Sequence, residues 1–107
     1  MAIARLAGPL LLLLAPAVAP AGDAQAGRAK AAACTVCHGA LGLSQMPDVP
    51  HLAGQPAVYL AEQLKAYRSG KRSHEVMGVV AKGLGDADIA DLAAWYASIE
   101  VRAETGK

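Results

Sequence analysis

Apolar residues change their spacing along this chain, and each change predicts a different kind of segment. From Leu6 to Val18 they run almost without a break, with Leu10 to Leu14 at the centre. From Asp23 to Ala33 alanine dominates, which predicts a helix with Asp23 as its N-cap and Gly27 as an interruption. Such a glycine costs about 1 kcal/mol against alanine, and is either merely tolerated or marks close approach by a second helix. The pattern lapses from Gly39 to Pro56, a long loop punctuated by Gly42, Pro47, Pro50 and Gly54. Leu60, Leu64 and Tyr67 then recur at i, i+4 and i+7, while Glu62, Lys65 and Arg68 fall off that stripe. This predicts a helix opened by Pro56 in the first-turn position and closed by Gly70. Glu75 to Lys82 reads as a short helix. Asp86 to Ile99 reads as the last one, with Asp86 and Asp88 favouring the macrodipole in its first turn. Ile89, Leu92, Ala93, Trp95 and Tyr96 mark its apolar side, and Glu100 to Lys107 is polar and expected to fray. No β-rich segment is visible, so the expected class is all-α.

The first apolar run is a targeting segment by pattern. Arg5 gives a positive start, and Ala19-Pro20-Ala21 places small residues where a signal peptidase cuts. Pro9, Pro16 and Pro20 break the run, which is shorter than the ~20 residues a spanning helix needs. The expectation is a cleaved secretory signal over 1–21 and one small domain over 22–107. Of the 10 Lys and Arg residues only Arg5 lies in the signal, against 9 Asp and Glu, so the exported domain is near neutral. That balance does not suggest a nucleic-acid partner. Without Phe, so small a domain has little core of its own.

The two cysteines of the chain fall together in Cys34-Thr35-Val36-Cys37-His38. Two thiols at this spacing followed at once by an imidazole is the attachment pattern of a c-type haem. The thiols add to the two vinyl groups as thioethers, and the histidine is held under the iron. Three other readings compete. Two cysteines at this spacing also close a small disulfide ring. A redox pair belongs next to a βαβ pattern, which is absent. A zinc site needs four ligands, so His51 or His74 would have to complete it. A bound haem also answers the shortage of core. Met77 is the only methionine after the loop, and a thioether suits the sixth position of haem iron. His74 and His51 are its rivals; otherwise Met77 is a gap-filler. Met46 and His51 read as loop side chains. Lys71-Arg72 reads as solvated surface, or as a docking edge or propionate partner.

With these residues in view, the chain resembles the small class I cytochromes c, above all the single domains of periplasmic dihaem cytochromes and their short monohaem relatives. The strings that carry the likeness are GDAQAGRAKAAACTVCHG, PHLAGQPAVYLAEQLKAYRSGKR, VMGVVAKGL and DADIADLAAWYASI. The resemblance implies a class I cytochrome c fold of about four to five helices wrapped around one covalent haem c. It implies that the first and last helices cross near Gly27 and Trp95, with Leu92 alongside. It implies His38 as the proximal ligand and Met77 as the distal one. It also implies Pro50 as the carbonyl that receives the other ring nitrogen of His38. Gly85 departs from the family where a hydroxyl or acidic cap is common. A second haem domain is absent from the sequence, which implies work alone, as a homodimer, or beside a partner.

The expected function is therefore a periplasmic, bacterial monohaem electron carrier that performs no catalysis itself. Its partners would be a redox donor and acceptor, including a dehydrogenase subunit or a terminal oxidase, with no stable membrane span after signal cleavage. One alternative is the cytochrome subunit of a periplasmic dehydrogenase complex. A ligand-binding or sensor haem protein is the other.

Overall fold

Asp23 starts the helical part of the chain, its carboxylate accepting from the N–H groups of Gln25 (2.9 Å) and Ala26 (3.3 Å). The computed structural model describes residues 2–14 and 22–106. Among these residues five α-helices follow in order: α1 (Ala24–Lys30), α2 (Thr35–His38), α3 (Ala57–Ser69), α4 (Glu75–Lys82) and α5 (Asp86–Ser98). A 3₁₀ turn, Ala31–Ala33, joins α1 to α2. There is no strand among the described residues, so the predicted all-α class holds. Residues 2–14 are exposed and carry no regular structure. Among the described residues no helix is long and apolar enough to cross a membrane. The expected cleavage residues, Ala19-Pro20-Ala21, lie outside the described residues.

The glycine in α1 marks close approach. Gly27 is buried, and a Cβ there would collide with the Asp91 carbonyl and sit 2.8 Å from the Trp95 Cβ. Helices α1 and α5 thus touch backbone to backbone. Asp91 clasps the crossing: it accepts the Asp23 N–H at 2.8 Å and pairs with Lys30 at 2.7 Å. Lys30 also reaches Asp88 at 3.0 Å.

Pro56 is the N-cap of α3 rather than its first helical residue. Its ψ of 135° is extended, and its carbonyl accepts the first helical bond from Leu60 at 3.0 Å. Gly70 closes α3 with a φ of 83°, a left-handed conformation that favours glycine. Arg68 ties α3 to the turn before α5, donating to the Leu84 carbonyl (3.2 Å) and pairing with Asp86 (2.7 Å). Gly85 carries no capping side chain, and the Asp88 carboxylate covers its N–H instead, at 2.9 Å.

The long loop folds back onto α5. Leu52 and Ala53 donate to the Gly42 carbonyl at 2.7 and 3.1 Å, and Gly54 donates to the Tyr96 carbonyl at 2.9 Å. Among the described residues the buried apolar side chains are Ala31, Ala53, Leu60, Ala81, Ile89, Leu92, Ala93 and Tyr96, half of them alanine. So thin a core leaves the larger apolar side chains of α3 and α4 facing a cavity.

Candidate functional site

The turn from the 3₁₀ segment into α2 gathers the motif. His38 N–H donates to the Cys34 carbonyl at 2.9 Å, so the two are one helical turn apart. Residues at i, i+3 and i+4 share a helix face, which points Cys34, Cys37 and His38 the same way. All three line one cavity, while Val36 between them is 81% exposed. Both cysteines are free thiols, so the small disulfide ring is not formed.

The cavity holds about 200 Å³ and is walled by Leu52, Leu60, Leu64, Leu84 and Leu92. Met77 stands on its wall from α4. A second cleft of about 370 Å³ shares Cys37, His38, Gln63, Tyr67, Val76 and Met77 with the first. The two are therefore lobes of one slot. The second lobe adds polar residues, Asp48, Gln55, Arg72 and His74. Arg72 is not simply solvated: its guanidinium lies 4.7 Å from the Tyr67 ring centre and donates to Gln63 at 2.7 Å.

The three histidines are set in opposite ways. His38 is buried, and its Nδ1 lies 2.9 Å from the Pro50 carbonyl, which can only accept. The proton is therefore on Nδ1, and Nε2 keeps a lone pair. His51 Nδ1 accepts the Ser44 N–H at 2.8 Å. His74 Nδ1 accepts the Val76 and Met77 N–H groups, each at 3.2 Å. In both of these rings the proton sits on Nε2, which then has no lone pair for a metal. Among the described residues no group of three His, Cys, Asp or Glu side chains gathers as a metal site. A zinc centre completed by His51 or His74 is thus not built.

Tyr96 closes the cavity beside Cys34, and its buried hydroxyl has no hydrogen-bond partner among the described residues. Burial pushes the Tyr96 phenol well above its ordinary value, with the neighbouring Cys34 adding to the rise. Burial likewise pushes the Cys34 thiol up. Sequence patterning finds Tyr96 only as an apolar position and misses its polar end. It also leaves His74 as a rival ligand, because histidine is not among the usual caps.

A flat apolar macrocycle fits these walls. The slot is lined by leucines, and two free thiols and one imidazole with an available nitrogen meet at its edge. Helices that enclose such a slot define a haem-c-binding domain.

The chain belongs to the cytochrome c family, whose sequence model, described as "Cytochrome c", matches residues 24–100. It is 48% identical over 83 residues to cytochrome c-554(548) of Halomonas halodenitrificans, covering 75% of this chain and all of that protein. It is 50% identical over 78 residues to cytochrome c4 of Pseudomonas aeruginosa, covering 73% of this chain but only 39% of that protein. Against the crystal structure of reduced recombinant cytochrome c4 from Pseudomonas stutzeri the TM-score is 0.71 at 38% identity. That match covers 75% of this chain and 47% of the other. The fold is the class I cytochrome c fold, and haem c is its covalently bound cofactor.

Proposed function

We propose that this chain is a periplasmic monohaem cytochrome that carries single electrons between redox proteins. The observation that carries the reading is the meeting of Cys34, Cys37, His38 and Met77 on one apolar slot. When bound, haem c supplies a one-electron ferric/ferrous couple. Cys34 and Cys37 would hold it as thioethers, each S–H adding across a vinyl group. His38 would offer Nε2 as proximal ligand, with the Pro50 carbonyl holding the ring and raising its basicity. Met77 would occupy the distal side with a soft sulfur, leaving no open position and setting a raised potential. The leucine walls exclude water and keep reorganisation small. Residues 1–21 would direct export and be removed, leaving 22–107 as the working domain.

The test is the absorption spectrum of ferric protein, exported with haem attached, for wild type and Met77→Ala. A weak band from methionine sulfur on iron is expected in wild type and absent in the variant. Its absence from wild type would overturn the His38/Met77 reading. Protein without covalent haem would overturn the whole of it.

A second reading has its own support. The thiosulfate dehydrogenase electron acceptor of Thiomonas intermedia is 41% identical over 72 residues, covering 66% of this chain and 33% of that protein. On this reading the chain serves one dehydrogenase as its acceptor subunit. A dehydrogenase that co-purifies at fixed stoichiometry would select it over a free carrier.

A further inference from the structure

His74 stands at a position where the common choices are Ser, Thr, Asp and Asn. It is the N-cap of α4, and its Nδ1 accepts from the second and third helical N–H groups, the third being that of Met77 itself. The side chain is exposed, so core packing does not account for it. Its ring meets the Tyr67 ring edge-on, with centroids 6.3 Å apart at 75°. Tyr67 is in turn covered by Arg72, which Gln63 holds. A serine or asparagine cap would satisfy the N–H groups but would not reach α3 with an aromatic edge. Histidine does both, and so joins the first turn of α4 to the wall of the slot.

We infer that His74 is a positioning residue for Met77: it caps the turn that carries the methionine and docks that turn against Tyr67. The inference rests on the reading of Met77 as distal ligand. His74 is then not a rival for the iron, because the nitrogen facing the helix is engaged and the other carries the proton. Opening the first turn of α4 frees the backbone that carries Met77 and so lets the methionine leave the slot. A lost cap therefore makes that release easier.

The experiment is competition by free imidazole for the ferric holoprotein, read by absorption, with urea unfolding followed in parallel. The variants are His74→Asn, which keeps a good cap, His74→Phe, which keeps a ring without an acceptor, and His74→Ala. Apparent imidazole affinity is expected to rise about fivefold in His74→Ala, which is ~1 kcal/mol at 1.4 kcal/mol per tenfold, and by less in His74→Phe, which keeps the edge against Tyr67. In His74→Asn, which keeps the cap and loses only the edge against Tyr67, the rise should be smaller, about twofold. Met77→Ala marks the fully open limit. Suppose Met77→Ala binds imidazole far more tightly than wild type while all three His74 variants match wild type. The inference is then overturned and the distal reading stands. If Met77→Ala also matches wild type, the distal reading fails and the inference with it. A lower urea midpoint in His74→Phe without a change in imidazole affinity would make the cap merely structural, and would also overturn the inference.

Discussion

On one side of the molecule α1 and α5 meet backbone to backbone. On the other, α3 and α4 turn their apolar side chains towards a slot. The first contact is complete within the chain: Gly27 against the Asp91 carbonyl, Asp91 on the Asp23 N–H, Lys30 between two carboxylates. The second is completed by something the chain does not supply. Leu60, Leu64, Val76, Met77 and Val80 face a space that a macrocycle fills. In this small domain α1 and α5 form the scaffold, and α3 and α4 form the slot, with Leu92 and Tyr96 of α5 completing its wall.

Removing the means of attachment gives the largest expected effect on that contrast. In a Cys34→Ser, Cys37→Ser double variant the apolar wall of α3 and α4 loses its covalent partner. Most helicity should be lost, and what remains should lie in α1 and α5. Amide exchange in α4 is expected to accelerate by on the order of a hundredfold more than in α5. Circular dichroism and hydrogen exchange measure both. Equal loss of protection in α4 and α5 would break the division into scaffold and pocket.

How far the sequence revealed this division depends on the physics of each part. Helix positions were legible because their determinants are local: alanine from Ala24, the i, i+4, i+7 stripe of α3, glycine at Gly70. The pairing of α1 with α5 was legible only through likeness to a family, because a glycine in α1 does not name its partner. The attachment motif was legible because thiols at this spacing admit few chemistries. What stayed hidden was hydrogen-bond direction. Nothing in His51 and His74 as letters says which ring nitrogen carries the proton; that is fixed by Ser44 and Val76 across turns, whereas the bond from His38 to Pro50 was legible through the family likeness. Pro56 was misread by one position because a proline before a helix serves equally as cap or first residue. The ψ of 135° decides for the cap.

Two helix glycines sharpen the comparison with a middle-sized effect of opposite sign. Gly27→Ala puts a Cβ into the Asp91 carbonyl and the Trp95 Cβ, and overpacking of this kind costs about 1–3 kcal/mol. Gly78 lies inside α4, and a Cβ there meets nothing within 4 Å. Gly78→Ala should stabilise by roughly 0.4–1 kcal/mol, through helix propensity and a less flexible unfolded chain. Urea midpoints of the holoproteins measure both. Stabilisation by both substitutions would mean that α1 and α5 are free to move apart, contrary to the close contact seen here.

The smallest effect concerns the clasp on the scaffold side, and it is a matter of pH. Lys30 beside Asp91 holds that carboxyl below its ordinary value, with the Asp23 N–H helping. The Gly85 N–H and then Lys30 do the same for Asp88. The two aspartates hold the Lys30 ammonium above its ordinary value. A lowered carboxyl stabilises the fold above its unfolded value of 3.8, and that contribution is lost as pH falls through the folded value below it. A raised ammonium contributes fully below its unfolded value of 10.5, and is lost as pH rises through the folded value above it. The clasp therefore acts across the whole middle range and fails at both ends. Asp91→Asn should lower the urea midpoint slightly near neutral pH. The gap to wild type should close in acid, where Asp91 is protonated, and in alkali, where Lys30 is neutral. Salt should narrow it as well, because these groups are partly exposed and screened. A gap that ignores pH and salt would leave the Asp23 hydrogen bond as the working part of the clasp, with Lys30 a bystander.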